Sequence, residues 1–132
     1  MLDLLKQYLD FYRLIFDRIE KRNISAEKLK FPFSSFRTGQ RDLAKYAYAI
    51  AKKGGQLFVE APTGIGKTVS TLFPFIKSFA DNSTDKIFYL TAKNSGKETA
   101  MSTIDILRKN GLSISNLIIT AKEKVCYCPG KG

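Results

Sequence analysis

A short stretch in the first half of the chain has the residue types and the spacing of a phosphate-binding loop. The strict pattern of such a loop is Gly, any four residues, Gly, Lys and then Ser or Thr. In this chain alanine replaces the first glycine, and the last three residues stand at the required spacing. The stretch predicts a nucleotide-phosphate site, with an ordinary glycine-rich turn as the alternative. Its members are Ala61, Pro62, Thr63, Gly64, Ile65, Gly66, Lys67 and Thr68.

Several of these residue types have a separate role in holding a phosphate. Gly64 and Gly66 let the backbone bend so closely that its N–H groups point at phosphate oxygens. A helix that begins there adds the positive end of its dipole. Lys67 would reach the β- and γ-phosphates, and the hydroxyl of Thr68 would bind Mg²⁺. The predicted ligand is ATP with Mg²⁺.

Such a loop needs a strand before it and a helix after it. Residues 57–60, three apolar residues followed by Glu60, predict the strand. Residues 69–79 predict the helix, which Pro74 should kink or divide. Two further apolar runs, residues 87–90 and 117–120, predict strands of the same kind. Strands that alternate with helices indicate an α/β fold with a parallel sheet and flanking helices.

Three other segments carry apolar residues at helical spacing, namely residues 3–22, 38–53 and 95–110. Thr38 is a plausible N-cap of the second of these helices. The residues from Ser95 to Glu98 have the form of a capping box for the third. Between the first two helices, we expect a connector that is pinned by its aromatic residues.

The composition favours an intracellular protein with an anionic partner. The 132 residues carry a formal net charge of +10, which would attract nucleic acid, although a solvated basic surface is the alternative. No run approaches the roughly 18 apolar residues that span a bilayer, and no secretion signal begins the chain. We therefore expect no membrane association, a cytoplasmic or otherwise intracellular location and a monomer.

Four segments together resemble the iron–sulfur DNA helicases of the DinG and XPD type. The similarity extends from about residue 33 to the end of the chain, and its narrowest part is a Thr-Ala-Lys-Glu-Lys-Val-Cys run. The resemblance implies part of a RecA-like P-loop NTPase domain that drives the unwinding of DNA. The segments are residues 36–40, 61–68, 89–93 and 120–126.

The resemblance also divides the chain into three parts. Residues 1–35 would form an N-terminal amphipathic helix and connector, residues 36–120 a partial ATP-binding domain, and residues 121–132 the start of an iron–sulfur insertion. No acidic strand motif of the kind that holds Mg²⁺ and orients water follows Thr68, so no catalytic set is complete. We expect an N-terminal fragment of a helicase, or a stand-alone nucleotide- or nucleic-acid-binding module without motor activity.

Individual roles follow from the same resemblance. Arg37 and Gln40 are similar to the segment that contacts the nucleotide base, with a solvent-facing Gln40 as the alternative. Thr91 and Lys93 are similar to the motif that touches the backbone of single-stranded or forked DNA. For them the alternative is a strand-end loop with an exposed lysine.

The two cysteines, Cys126 and Cys128, lie two residues apart near the end of the chain. The resemblance implies that Cys126 is the first of the four ligands of a [4Fe–4S] cluster, which is expected only in the complete protein. A free thiol and half of a zinc site are the alternatives. Cys128 is expected to be a neighbour without a ligand role.

Overall fold

A computed structural model describes residues 2–62 and 64–120, and the regular secondary structure of these residues is helical throughout. A short 3-10 helix, Ser78–Asp81, directly follows the third α-helix. The described residues contain no strand, so the predicted α/β fold with a parallel sheet is wrong. The α-helices are α1 (Leu2–Lys28), α2 (Gln40–Lys53), α3 (Lys67–Lys77) and α4 (Asn94–Lys109).

The three predicted strands, residues 57–60, 87–90 and 117–120, have no assigned secondary structure. Most of their apolar side chains are exposed, and Phe58 and Leu90 are both 90% exposed, whereas Ile87 packs against the main core. A strand is stabilised by its neighbours, through backbone hydrogen bonds and cross-strand side-chain pairs. The apolar runs show a local preference for extended backbone, but no paired neighbour accompanies them in the described residues.

Helix α3 lies at the centre of the fold, because it contacts α2, α4 and the end of α1. Its buried face contributes Leu72 and Ile76 to the main core, and Phe79 of the 3-10 helix continues that face. The other core residues come from the end of α1, from α4 and from the segments after them. They are Ala26, Leu29, Ala100, Leu107 and Leu112.

Helix α2 packs on α3 through small residues. Ala44, Ala47 and Ala51 are buried along one face of α2, with Leu43 beside them. Alanines at an interface let two helix backbones approach closely, which suits the ridges-into-grooves packing of neighbouring helices. Helix α2 therefore packs on α3 on the side where the segment before the predicted phosphate loop also lies.

The helix ends differ from the predictions at several points. Helix α1 continues to Lys28, and α2 begins after Gly39, whose φ is 78°, rather than after Thr38. The N-cap of α4 is Lys93, without a side-chain cap hydrogen bond, so the predicted capping box does not form. Helix α3 runs through Pro74 to its end, so the proline does not divide it.

The connector after α1 is held by aromatic contacts, as predicted. The ring of Phe31 stacks on Phe36 with a centroid distance of 3.9 Å, and its edge meets Phe73 of α3 at 5.5 Å. The ammonium group of Lys77 adds a hydrogen bond of 2.6 Å to the carbonyl oxygen of Glu27. These contacts lead the chain from α1 across α3 to the start of α2.

We expect Leu107→Ala to lower the free energy of unfolding by about 2–5 kcal/mol, because its fully buried side chain leaves a cavity in the core. The matched control is Leu117→Ala, since Leu117 is 84% exposed and its truncation should change stability by less than about 0.5 kcal/mol. Urea denaturation of both variants measures the difference. An equal loss in both would contradict the exposed position of residues 117–120.

Candidate nucleotide-binding site

The predicted phosphate loop leads into the N-terminus of α3. Gly66 is the N-cap residue and adopts the left-handed conformation, with φ 82° and ψ 42°. The first intrahelical bond runs from the N–H of Ser70 to the carbonyl oxygen of Gly66, at 3.1 Å. A helix leaves the N–H groups before that bond without an intrahelical acceptor. In α3 these belong to residues 67–69, and no side chain of the described residues caps them.

The side chain of Lys67 folds back over the loop. Its Nζ atom donates hydrogen bonds to the carbonyl oxygen of Ala61, at 2.6 Å, and to that of Pro62, at 3.2 Å. The residue is otherwise exposed. An ammonium group binds the charged oxygens of a phosphate more strongly than neutral carbonyl oxygens. A phosphate that entered the loop could therefore replace these two contacts at little cost.

Hydroxyl groups bond to backbone carbonyl oxygens in the first turns of α3. The Oγ atom of Ser70, which is fully buried, donates to the carbonyl oxygen of Gly66 at 3.0 Å. The Oγ1 atom of Thr71 donates to the carbonyl oxygens of Lys67 and Thr68, at 3.0 and 3.1 Å. Thr68 itself is half-buried, at the second position of the helix. Its predicted role in binding Mg²⁺ stays a prediction.

The segment that includes Arg37 and Gln40 packs directly against the loop. The Nη1 atom of Arg37 donates to the carbonyl oxygen of Gly64 at 2.5 Å. Gly39 lies so close to Ile65 that a Cβ atom added at Gly39 would be 2.9 Å from the Cδ1 atom of Ile65. The sequence analysis predicted a base contact for this segment and did not predict its packing on the loop.

Gln40 lies in the interior beside Gly66 rather than facing solvent. It is only 3% exposed, and its Oε1 atom accepts a hydrogen bond of 2.8 Å from the backbone N–H of Arg37. A Cβ atom at Gly66 would collide with its Nε2 atom. In this arrangement Gln40 supports the loop, and its contact with a nucleotide base stays a prediction.

Thr91 and Lys93 lie in a different place, at a groove of about 1040 Å³ whose lining includes no residue of the phosphate loop. Both are exposed, and the Oγ1 atom of Thr91 accepts from the N–H of Lys93 at 3.4 Å. Sequence reasoning missed Lys97, which also lines this groove and whose Nζ atom donates to Thr120 Oγ1 at 3.2 Å. Its only sequence signal was its position in the first turn of α4.

The predicted cluster ligand Cys126 and its neighbour Cys128 lie outside the described residues. Within residues 2–62 and 64–120, no group of three or more His, Cys, Asp or Glu side chains is arranged to hold a metal ion. None of the helices in this part of the chain is both long enough and apolar enough to cross a membrane.

Comparison with known proteins gave no match to a family model, to a curated protein or to a solved structure.

The contact between Gly66 and Gln40 can be tested by substitution. Gly66→Ala should destabilise the protein more than Gly111→Ala, by on the order of 1 kcal/mol, because its Cβ displaces Gln40 from a buried hydrogen bond. Both glycines have positive φ, 82° and 94°, but a Cβ at Gly111 would meet nothing within 4 Å. Urea denaturation compares the two variants. Equal destabilisation would show that Gln40 does not pack on the loop.

Proposed function

We propose that this chain binds ATP with Mg²⁺ through residues 61–68. The observation that carries the proposal is the position of Lys67 at the start of α3, directly after the left-handed Gly66, with its ammonium group over the loop. The sequence motif, the start of α3 and the ammonium group of Lys67 thus lie at the same place. Backbone N–H groups, a helix dipole and a lysine are the elements by which proteins hold nucleotide phosphates.

The loop is braced before any ligand arrives. The guanidinium group of Arg37 holds Gly64, and the buried Gln40 fills the space beside Gly66. A loop that becomes ordered only upon binding loses conformational entropy, and this weakens the affinity. A loop that is already held in place does not incur that cost. These contacts thus favour phosphate binding. They also give Arg37 and Gln40 a structural role that does not require contact with the base.

The wider proposal is that the chain is the ATP-binding part of an ATP-dependent DNA helicase. It is supported by the resemblance in residues 36–40, 61–68, 89–93 and 120–126 and by the net charge of +10. Hydrolysis needs an acidic residue that holds Mg²⁺ and a group that orients water. The residues after Thr68 have no such motif. ATP-driven unwinding would therefore belong to the complete protein.

Lys67→Ala tests the site directly. Because it removes the cation that faces the β- and γ-phosphates, we expect it to abolish measurable ATP binding in isothermal titration calorimetry with Mg²⁺ present. Lys45→Ala is the matched control, since Lys45 is an exposed lysine in the middle of α2 and should leave the affinity unchanged. Equal ATP affinity in the two variants would refute the phosphate site.

A steady-state ATPase assay with single-stranded DNA bears on both candidate functions. Both the helicase portion and the stand-alone binding module should bind ATP without robust turnover by this chain. A helicase portion should also bind single-stranded DNA in a way that depends on Lys93. Robust turnover would contradict the conclusion that the catalytic acid is missing.

Lys93→Ala tests the DNA contact. Loss of one lysine–phosphate contact should weaken binding to a labelled oligothymidylate and reduce the slope of log K against log salt by about 0.7. Fluorescence anisotropy across a salt series gives this slope. The control is Lys109→Ala, in an exposed lysine of the last turn of α4. If both variants bind with the same slope, Lys93 has no special place in DNA binding.

A further inference from the structure

The first twenty residues of α1 stand away from the rest of the fold. Every residue from Leu2 to Lys21 is exposed, and the helix packs on the core only near its end, where Ala26 is fully buried. At the boundary the guanidinium group of Arg22 lies over the ring of Phe79, 4.2 Å from its centroid. Residues 2–16 border no other described segment, whereas Arg18 and Ile19 line the groove that residues 87–90 also line.

This exposed part carries a broad apolar face. Taking roughly half of the 150–250 Å² that an aromatic side chain can bury, and half of the about 60–120 Å² that burial of an aliphatic side chain corresponds to, its four aromatic and six aliphatic side chains expose on the order of 500–900 Å². The largest apolar patch of a typical monomer is about 300–600 Å², whereas a stable interface buries about 800 Å² from each partner. The area is that of one side of a protein interface. The ten side chains, 37–86% exposed, are Leu2, Leu4, Leu5, Tyr8, Leu9, Phe11, Tyr12, Ile15, Phe16 and Ile19.

Six residues of this face have the spacing of a coiled-coil seam. Apolar residues separated alternately by three and four positions keep one stripe of a helix against a partner helix. The polar side of the same helix carries Asp3, Asp10 and Asp17, spaced one heptad apart. The seam consists of Leu2, Leu5, Leu9, Tyr12, Phe16 and Ile19.

Burial of its apolar face would add stability to this helix. Most helical stability in proteins comes from packing of the apolar face. Residues 2–21 contain five leucines and six Lys, Arg, Gln or Glu residues, which are good helix formers, beside four aromatic residues and two isoleucines, which are weaker ones. Local preference therefore favours the helix, and a partner on the apolar face would stabilise it further.

We propose that the exposed part of α1 pairs in antiparallel orientation with α1 of a second copy of this chain. Residues 2–12 carry two aspartates and one lysine, for a net charge of −1. Residues 13–21, the rest of the exposed part, carry three basic and two acidic residues, for a net charge of +1. Antiparallel pairing places the negative half of each helix against the positive half of the other. Parallel pairing would place halves of the same charge against each other.

The position of the folded part supports the same orientation. It is attached to the C-terminal end of α1, and each chain carries a net charge of +10. Parallel helices would bring two such bodies together at one end, whereas antiparallel helices keep them at opposite ends. In antiparallel register Leu2 meets Ile19, Leu5 meets Phe16 and Leu9 meets Tyr12 of the other copy. The proposed dimer is an alternative to the monomer that the sequence predicts.

Sedimentation velocity over a wide concentration series tests the dimer. The chain should sediment with twice the 14.9 kDa mass of one copy. Leu9→Glu, in the seam, should raise the dissociation constant by about 100-fold or more, because each dimer loses two buried leucines. Leu14→Glu is the matched control, because Leu14 is 48% exposed on the polar side of the helix and Leu9 is 46% exposed in the seam. Only the Leu14→Glu variant should dimerise normally. A monomeric parent chain, or equal effects of both variants, would overturn the proposal.

Disulfide trapping tests the orientation. In a background with Cys126→Ser and Cys128→Ser, a chain with Leu2→Cys is mixed with a chain with Ile19→Cys and oxidised. Antiparallel pairing predicts that the mixed disulfide dominates by mass spectrometry. Disulfides formed mainly within each variant would contradict the antiparallel arrangement.

Discussion

Burial of one face of α3 is the interaction on which the rest of the structure depends. Leu72 and Ile76 join the end of α1 to α4, and the other side of the helix receives the alanines of α2. The same helix begins at the phosphate loop. The core therefore fixes the direction in which the N-terminus of α3 points, and with it the N–H groups that would face a phosphate.

The loop itself is shaped by a small number of close contacts. Gly66 must be a glycine for two reasons, a φ of 82° and the nearness of the Gln40 side chain. Arg37 holds the carbonyl oxygen of Gly64 from the other side, and Lys67 bonds to the carbonyl oxygens of Ala61 and Pro62. Cationic groups thus bond to three carbonyl oxygens of the loop, whereas the first N–H groups of α3 are the natural partners of an anion.

Features that depend on neighbours in sequence were predictable, and features that depend on distant neighbours were not. Helices α2 and α4 were recognised to within two residues, because amphipathic spacing is a local property. Residues 117–120 were expected to form a strand, but strand pairing is decided by a distant partner, which the described residues do not supply. The burial of Gln40 likewise results from its tertiary contact with Gly66, and no residue next to it in sequence signals that contact.

The central claim, that residues 61–68 hold the phosphates of ATP, is tested most directly by NMR of the ¹⁵N-labelled chain. Titration with ATP and Mg²⁺ should shift the amide signals of residues 64–69 and of Arg37, because the phosphates approach these groups. Adenosine, which has the base and the sugar but no phosphate, should leave the loop signals in place. Equal shifts with adenosine, or ATP-induced shifts confined to residues outside the loop, would contradict the account.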